Sequence, residues 1–254
     1  MTVFAADWLS LREPHDARAR NSKVLNAMAA WAKGRHALRI VDLGAGTGSA
    51  RRALSSCLPS DCTWTLIEHD PRLIVTGEAQ LEAGANAHYR RADLLKDLDS
   101  IFSEKIDLVT ASALIDLVSG NWLEHLARHL RQKRCAAWIG LTYDGLLRFT
   151  PKIVGDRAVA DAFNHDMTRD KGFGPALGPR AHHILADLLL GHGIVMEGSS
   201  PWLLGEEDQK MIMATVDGIA DAALDVPEIG LWRSRRQSGT SAMEVGHHDL
   251  LFLP

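Results

Sequence analysis

The sequence has few cysteines and no excess of positive charge, and these two shortages exclude several classes of protein. Only three of its 254 residues are cysteines, Cys57, Cys62 and Cys135, and no two of them are spaced as CxxC. This count favours free thiols in a reducing compartment over a disulfide framework. Lysine and arginine number 28 against 32 acidic residues, which leaves a formal net charge of −4. A polynucleotide substrate is therefore disfavoured, because nucleic-acid binders usually carry a basic stripe.

Long apolar runs and a secretion leader are also missing. No stretch approaches the roughly 20 apolar residues that a membrane span needs. The opening MTVFAADWLSLREP lacks a basic start followed by an apolar run. We therefore expect a cytoplasmic protein without a membrane partner. The hydrophobic fraction of 46% and the charged fraction of 24% are ordinary for a globular protein with a sizeable core.

Short apolar runs alternate with helical patterns over residues 37–145. Five strands are predicted at ALRIVDLG, TWTLIEHDP, AHYRRADLL, KIDLVTASALI and CAAWIGLTYDG, and helices between them at SARRALSSCLP, PRLIVTGEAQLEAG and NWLEHLARHLRQ. Such alternation is typical of βαβ units, in which helices cover both faces of a parallel sheet. The sequence therefore predicts an α/β fold with a doubly wound, mostly parallel sheet.

The segments on either side of this alternation are organised differently. Residues 1–37 predict an N-terminal helical cap, with a helix from Pro14 to Lys33, and residues 38–254 the main domain. Within that domain, residues 145–179 are rich in Gly, Pro and charge and predict an inserted lid or substrate loop. The last part predicts a helix at RAHHILADLLLGHG, a sixth strand at IVMEGSSPWLL, helices at EEDQKMIMATVDGIADAAL and EIGLWRSRR, and a seventh strand at SAMEVGHHDLLFLP.

The stretch VDLGAGTGS, at the end of the first strand, raises the question of the ligand. Its glycines, Gly44, Gly46 and Gly48, form a GxGxG turn, but Ser49 stands where a dinucleotide fingerprint needs its last glycine. Asp42, just before the turn, would repel a pyrophosphate, since like unit charges about 4 Å apart disfavour each other by several kcal/mol. The same carboxylate would attract a cation. S-adenosylmethionine carries a sulfonium and an ammonium and has no phosphate, so the charge favours it.

In their order and spacing, these motifs resemble the class I S-adenosylmethionine-dependent methyltransferases over roughly residues 38–144. The resemblance implies a Rossmann-like fold of seven strands with an antiparallel last strand, which MEVGHHDLLFLP matches. In that family a carboxylate after the second strand holds both ribose hydroxyls. Glu68 in LIEHDP occupies that place, about 20 residues beyond the glycine turn.

The resemblance also assigns residues around the rest of the cofactor. RRADLL is similar to the third family motif, so Asp93 would accept a hydrogen bond from the adenine amino group, with Leu94 beside it and His69 bordering the adenine. KIDLVTASALIDLV is similar to the motif beside the transferred methyl, which places Ser112 there. Family members often fold an N-terminal segment over the cofactor, so Arg12 or Arg20 would meet the methionine carboxylate, and we predict Arg20.

Catalytic residues are expected beyond the carboxyl ends of the fourth and fifth strands. Methyl transfer is an in-line displacement, so the site must position the acceptor and supply a base if the acceptor is protonated. We predict Asp116 or His165 as that base and Tyr143 as an orienting group. The charged part of the insertion, with Asp166, Arg169 and Lys171, could add to the site.

Missing motifs narrow the acceptor. TASALID stands where enzymes acting on nucleobase amines carry an Asn/Asp-Pro-Pro-aromatic run, and Cys135 begins the fifth strand, too far from the site for a cytosine-C5 nucleophile. A small-molecule acceptor is therefore favoured. His125 and His129 are spaced like zinc ligands but no third ligand is evident, so we predict no metal. An aminopropyl transferase or a non-catalytic cofactor-binding scaffold stay open as alternatives, and the oligomeric state is undetermined.

Overall fold

A mixed eight-stranded sheet runs through the protein in a computed structural model that describes residues 5–254. Its spatial order is β3 (Ala87–Arg91), β2 (Thr63–Glu68), β1 (Arg39–Leu43), β4 (Leu108–Ser112), β5 (Ala136–Thr150), β8 (Ala242–Leu253) and β6 (Ile194–Ser199), with the short β7 (Trp202–Leu204) also paired to β8. The first five are parallel, and β8 runs antiparallel to its three neighbours. The predicted doubly wound sheet with an antiparallel last strand is confirmed.

Helices cover both faces of this sheet. They are α1 (Ala6–Ala19), α2 (Ser22–Ala32), α3 (Ser49–Leu54), α4 (Pro71–Glu78), α5 (Leu98–Ile101), α6 (Gly120–Lys133), α7 (Asp156–Asp166), α8 (Ala181–Leu189), α9 (Gln209–Ala222) and α10 (Ile229–Gly239). One apolar cluster joins α5, α6 and α8 to the sheet, and a second joins α2 and α3 to its other side. None of the described helices is long and apolar enough to span a bilayer.

The predicted N-terminal helix is in fact two helices that meet at Arg20 and Asn21. The first begins at Ala6 and accommodates Pro14 within it, so the expected start at Pro14 is wrong. The side chain of Asn21 accepts hydrogen bonds from Lys23 and Val24 backbone N–H groups, both at 3.1 Å, and so starts α2 as an N-cap. The first four residues of the predicted cap, 1–4, lie outside the described residues.

The region after the fifth predicted strand is more ordered than its composition suggested. Residues 146–150 continue β5, and 147–150 of them pair with β8, so the strand runs further than predicted and the irregular part begins after it. The predicted sixth strand is two strands, β6 and β7, because Pro201, which has no N–H group, interrupts the pairing. Helices α7, α9 and α10 pack together with β7 and the far end of β5 around a third apolar cluster that includes Phe149, Val159 and Trp232.

A buried ion pair fastens α10 to the start of α7 in this third cluster. The guanidinium of Arg236 is 1% exposed and donates to Asp156 Oδ1 from Nε at 3.0 Å and from Nη2 at 2.6 Å. Its Nη1 donates to the Pro151 carbonyl at 2.8 Å, and Trp232 Nε1 donates to the same Asp156 oxygen at 3.0 Å. One arginine thus satisfies polar groups of two elements that are far apart along the chain.

Replacing Arg236 by methionine should lower the free energy of unfolding by about 3 kcal/mol, because it leaves the partly buried Asp156 without its cation. Arg233→Met is the matched control on the same helix. Arg233 pairs with the exposed Asp221, and loss of an exposed pair should cost less than about 1 kcal/mol. Urea unfolding measures both, and equal losses would contradict a special role for the buried pair.

Candidate active site

The glycine turn brings the backbone between β1 and α3 very close to helix α1. Gly44, Gly46 and Gly48 have φ values of +67°, +55° and +84°, a backbone region that favours glycine. A Cβ added to Gly46 would lie 3.1 Å from Leu9 Cδ1, so α1 is seated directly on the turn. The turn therefore forms the floor of a cleft that α1 covers.

Asp42 is the buried carboxylate at the start of this turn. Its register partner on β4 is Thr110, whose hydroxyl donates to Asp42 Oδ1 at 2.7 Å. The residue is 1% exposed, and its other oxygen, Oδ2, is buried with no hydrogen-bond partner among the described residues. Burial raises the pKa of the carboxyl to about 7. A cation placed at Oδ2 would relieve this cost by stabilising the ionised form.

Glu68, at the end of β2, is held in place by three backbone amides. Gly46 N–H donates to Oε2 at 3.0 Å, and the N–H groups of His69 and Asp70 donate to Oε1 at 2.7 and 2.9 Å. The ring nitrogen Nδ1 of His69 also lies 3.0 Å from Oε1. Because a carboxylate oxygen has two lone pairs, Oε2 keeps one for a ligand. The carboxylate thus couples the glycine turn to the loop after β2.

One cleft, with a cavity volume of about 130 Å³ and partly open to solvent, adjoins both carboxylates. We call its two halves the polar end, with Asp42, Glu68 and the glycine turn, and the apolar end, with Leu9, Leu114, Leu117 and Phe173. The polar end also includes His69, Asp70, Ala92, Leu94 and Ser112, and the apolar end also includes Arg12, Asp16 and Lys171. A single cavity therefore joins the carboxylates of the polar end to an apolar wall.

Two residues assigned to the cofactor from the sequence lie away from this cleft. The carboxylate of Asp93 accepts from Leu95 N–H at 3.0 Å and lies 3.2 Å from Lys96 Nζ, so it serves its own loop. The neighbours of Asp93 line the cleft instead. Arg20 is buried, with its guanidinium 4.8 Å from the centroid of the Trp138 ring, and does not line the cleft.

Asp116 and Tyr143 lie in a buried polar layer behind the apolar end. Asp116 is 6% exposed, its Oδ1 has no partner among the described residues, and burial raises its pKa to about 6. The Tyr143 hydroxyl donates to Asn164 Oδ1 at 2.8 Å, and burial raises its pKa well above the usual value. Neither side chain lines the cleft itself, although Leu114 and Leu117 on either side of Asp116 do.

The structure does not bring His165 to the cleft. It is exposed near the end of α7, whereas the preceding residue, Asn164, contacts Tyr143. Consecutive residues on a helix point about 100° apart, so a helix that directs Asn164 inward directs His165 towards solvent. The assignment of His165 as a base therefore needs correction. It arose because the sequence predicted a loop in this segment, and without a helix the inward-facing side chains could not be identified.

A charged pair, Arg12 and Asp16, lines the cleft; sequence reasoning named Arg12 as the alternative to Arg20 but missed Asp16. Arg12 Nε donates to Asp16 Oδ2 at 2.9 Å, and the guanidinium lies 4.9 Å from the Trp202 ring centroid. Trp202 Nε1 donates to Asp16 Oδ1 at 2.9 Å. The i, i+4 spacing on a helix was a usable signal for the pair, whereas nothing local pointed to Trp202.

His247 is a second buried residue that the sequence did not single out. It lies against Trp202, with ring centroids 4.8 Å apart, and 6.3 Å from the Tyr143 ring. Burial lowers its pKa to about 3, so the imidazole is neutral over the physiological range. The adjacent His248 faces the opposite side of β8, as neighbours on a strand do, and the sequence offered no means to choose between them.

Comparison with known proteins agrees with the fold. Residues 40–133 match the family model described as "Methyltransferase domain", and no curated protein sequence matches the chain significantly. The chain is similar to a cyclopropane synthase from Mycobacterium tuberculosis, with TM-score 0.54, 10% identity, and 98% of this chain and 94% of that chain covered. It is also similar to a cyclopropane-fatty-acyl-phospholipid synthase-like protein from Lactobacillus casei, with TM-score 0.52, 14% identity and coverages of 95% and 98%.

At such low identities these two structures show the fold alone, which is Rossmann-like and typical of methyltransferases. Residues 40–133 are a methyltransferase domain, an enzyme domain of the S-adenosylmethionine-dependent class whose cofactor is S-adenosylmethionine. The resemblance stated from the motifs is thereby confirmed.

The ligand-free protein should lose stability between pH 5 and pH 8 because of Asp42. The folded pKa of about 7 lies above the reference value of 3.8, so the stability from this group is fully present below pH 4 and is lost as the pH rises to 7. Between pH 5 and pH 8, the free energy of unfolding of the wild type should therefore fall by on the order of 2 kcal/mol more than that of Asp42→Asn.

Urea unfolding at several pH values measures this difference. Glu82→Gln is the control: Glu82 is an exposed carboxylate whose pKa is lowered by Arg51, so it is ionised in both states throughout this range. That variant should follow the wild-type trend. Parallel pH profiles for the wild type and Asp42→Asn would show that the pKa of Asp42 is not raised in the folded protein.

Proposed function

We propose that the protein transfers a methyl group from S-adenosylmethionine to a small-molecule acceptor held at the apolar end of the cleft. The observation that carries this proposal is the continuous cavity, which joins Asp42 and Glu68 to a wall of Leu9, Leu117 and Phe173 beneath α1. Such a partly enclosed cleft with an apolar wall suits a small ligand, whereas a macromolecule requires a flat or grooved surface.

The residues of the polar end fit the cofactor. S-adenosylmethionine supplies an electrophilic methyl on a positively charged sulfonium, and its amino acid part carries an ammonium. The free oxygen of Asp42 would accept a hydrogen bond or a positive charge there, and the free lone pair of Glu68 Oε2 would accept a ribose hydroxyl. His69 and Leu94 would border the adenine, and Ser112 would lie near the methyl.

The apolar end favours an acceptor without strong charge. Its two cations already have partners, since Arg12 pairs with Asp16 and Lys171 donates to Asp166. The remaining wall is apolar, so a charged acceptor would lose its hydration there with little compensation. We infer a neutral, largely apolar molecule with one nucleophilic atom.

Asp116 is the residue we propose as the proton acceptor. Among the described residues, Asp42 and Asp116 are the carboxylates that keep a buried oxygen without a partner, Asp42 at the polar end of the cleft and Asp116 behind its apolar end. A pKa of about 6 leaves Asp116 ionised at neutral pH, yet basic enough to take a proton. Tyr143, fixed by Asn164, would restrict the acceptor's position from behind.

The same proposal gives the two predicted segments of the chain different roles in the site. Residues 1–37 would act as the helical cap, because α1 lies on the glycine turn and contributes Leu9, Arg12 and Asp16 to the cleft. Residues 38–254 would form the main domain, and the segment after β5 would contribute the acceptor wall through Phe173. The cap thus belongs to the site and is more than an appendage.

Affinity for S-adenosylmethionine should rise about tenfold between pH 6 and pH 8, because the ionised form of Asp42, with a pKa of about 7 in the free protein, is the form that holds a cation. Asp42→Asn should bind more weakly and lose this dependence, whereas His69→Ala, on the same wall, should keep it. Isothermal titration calorimetry provides the dissociation constants. Unchanged affinity in Asp42→Asn would overturn the role of Asp42.

The same titration distinguishes the alternative functions. Tighter binding of the decarboxylated cofactor than of S-adenosylmethionine would favour an aminopropyl transferase. Binding of S-adenosylmethionine and S-adenosylhomocysteine with no transfer to any acceptor would favour a non-catalytic binding protein. Binding of both, together with transfer, supports the methyltransferase.

Methyl-labelled cofactor incubated with a cell extract should place its label in the fraction below about 1 kDa, the size range that such a pocket encloses. With the isolated acceptor, Asp116→Asn should lower kcat by about a hundredfold, the usual effect of losing a general base, while cofactor affinity stays within about twofold. Label in protein or nucleic acid would overturn the small-molecule acceptor. An unchanged kcat in Asp116→Asn would overturn the assignment of the base.

A further inference from the structure

Three potential metal ligands meet on the outer surface of helices α5 and α6, outside the cleft. His125 and His129 lie one helical turn apart on α6, and Asp99 faces them from α5. The Nε2 atoms of the two histidines lie 2.7 and 2.8 Å from the same oxygen, Asp99 Oδ1. Asp99 is the third ligand that the spacing of the histidines alone could not reveal.

The two imidazoles are held in position by packing. The ring of His129 stacks on Phe102 with centroids 4.5 Å apart, and on His125 at 4.8 Å. The other nitrogen of His129, Nδ1, is buried with no partner among the described residues, so the ring offers Nε2 to a ligand. Two donor nitrogens are thus preset before any ion arrives, which lowers the ordering cost of binding.

Asp99 supplies the adjustable part of the cluster. Its side chain is 75% exposed, against 31% for His125 and 13% for His129. Zinc sites place nitrogen and oxygen ligands about 2.0–2.2 Å from the ion, which requires the three atoms to separate slightly from their present hydrogen-bonding distances. A small rotation of the exposed carboxylate achieves this without disturbing the stacked rings.

We propose that Asp99, His125 and His129 bind one divalent transition-metal ion, with zinc the best match, and that water completes the coordination. Two imidazole nitrogens and one carboxylate oxygen are borderline ligands that suit zinc and, by the general affinity order, nickel or copper, and suit magnesium poorly. One carboxylate against a dication also leaves a net positive site that attracts a water or an anion.

The position of the cluster gives the ion a structural consequence. The ion would join α5 to α6 next to the loop that lines the polar end of the cleft, where the Leu94 carbonyl accepts from Trp122 Nε1 at 2.8 Å. Trp122 precedes His125 by one turn on α6. Binding would therefore stabilise the folded protein at this corner.

The test uses the full chain, stripped of metal with a chelator, titrated with zinc chloride in a calorimeter. We expect one zinc ion per chain and, at a saturating zinc concentration, a rise in Tm of about 5 °C. Cobalt(II) titration should give the visible absorption of a tetrahedral site, which reports coordination directly.

Variants at the exposed ligands keep the test independent of folding. Asp99→Asn and His125→Ala should each weaken zinc binding at least about tenfold, whereas His183→Ala, at a separate histidine cluster with His182 and Glu197, should leave it unchanged. The metal-free Tm shows that each variant folds. The proposal would be overturned if the wild type bound no zinc, if Asp99→Asn and His125→Ala bound zinc as tightly as the wild type, or if His183→Ala lost binding. None of these outcomes bears on methyl transfer.

Discussion

The architecture of the site depends on one unfavourable choice, the burial of Asp42 with an oxygen that nothing in the described protein satisfies. An interior carboxylate of this kind is costly, and it persists only where the surrounding strands fix it. Here β1 and β4 hold it against Thr110, and the glycine turn then leads the chain away without covering it. A positive charge placed at the free oxygen would offset this cost.

A second constraint is that one carboxylate organises two loops. Glu68 accepts hydrogen bonds from the glycine turn and from the loop after β2, so a single side chain sets the spacing of the two loops at the polar end of the cleft. Helix α1 then closes the cleft from above, at van der Waals distance from the turn. The floor, one wall and the cover are therefore coupled, and a change in any one of them alters the others.

The sequence predicted the parts of this structure that depend on local pattern. Buried parallel strands are apolar runs that end at glycine or proline, and the groups at their carboxyl ends, Asp42 and Glu68, follow from the order of the strands. What it could not predict comes from distant contacts or from rotation about a helix. Trp202 meets Asp16 across 186 residues, and the inward face of α7 could not be chosen while the segment was taken for a loop. The assignment of Asp93 to the adenine failed for another reason, because a short local turn uses its carboxylate.

The two sides of α1 are attached by contacts of different physical kinds. Where α1 meets α2, the backbone N–H of Asn21 donates at 2.8 Å to Asp249, a fully buried side chain on β8, and water or salt has little access to that bond. Nearer solvent, α1 is attached by Glu13 to Arg52 and by Arg18 to Asp208. Ionic strength weakens such surface pairs while leaving the buried bond intact. Salt would therefore weaken the attachment of α1 along its length but not at its junction with α2. Ligand exchange rates and fold stability would then respond differently to the same salt concentration.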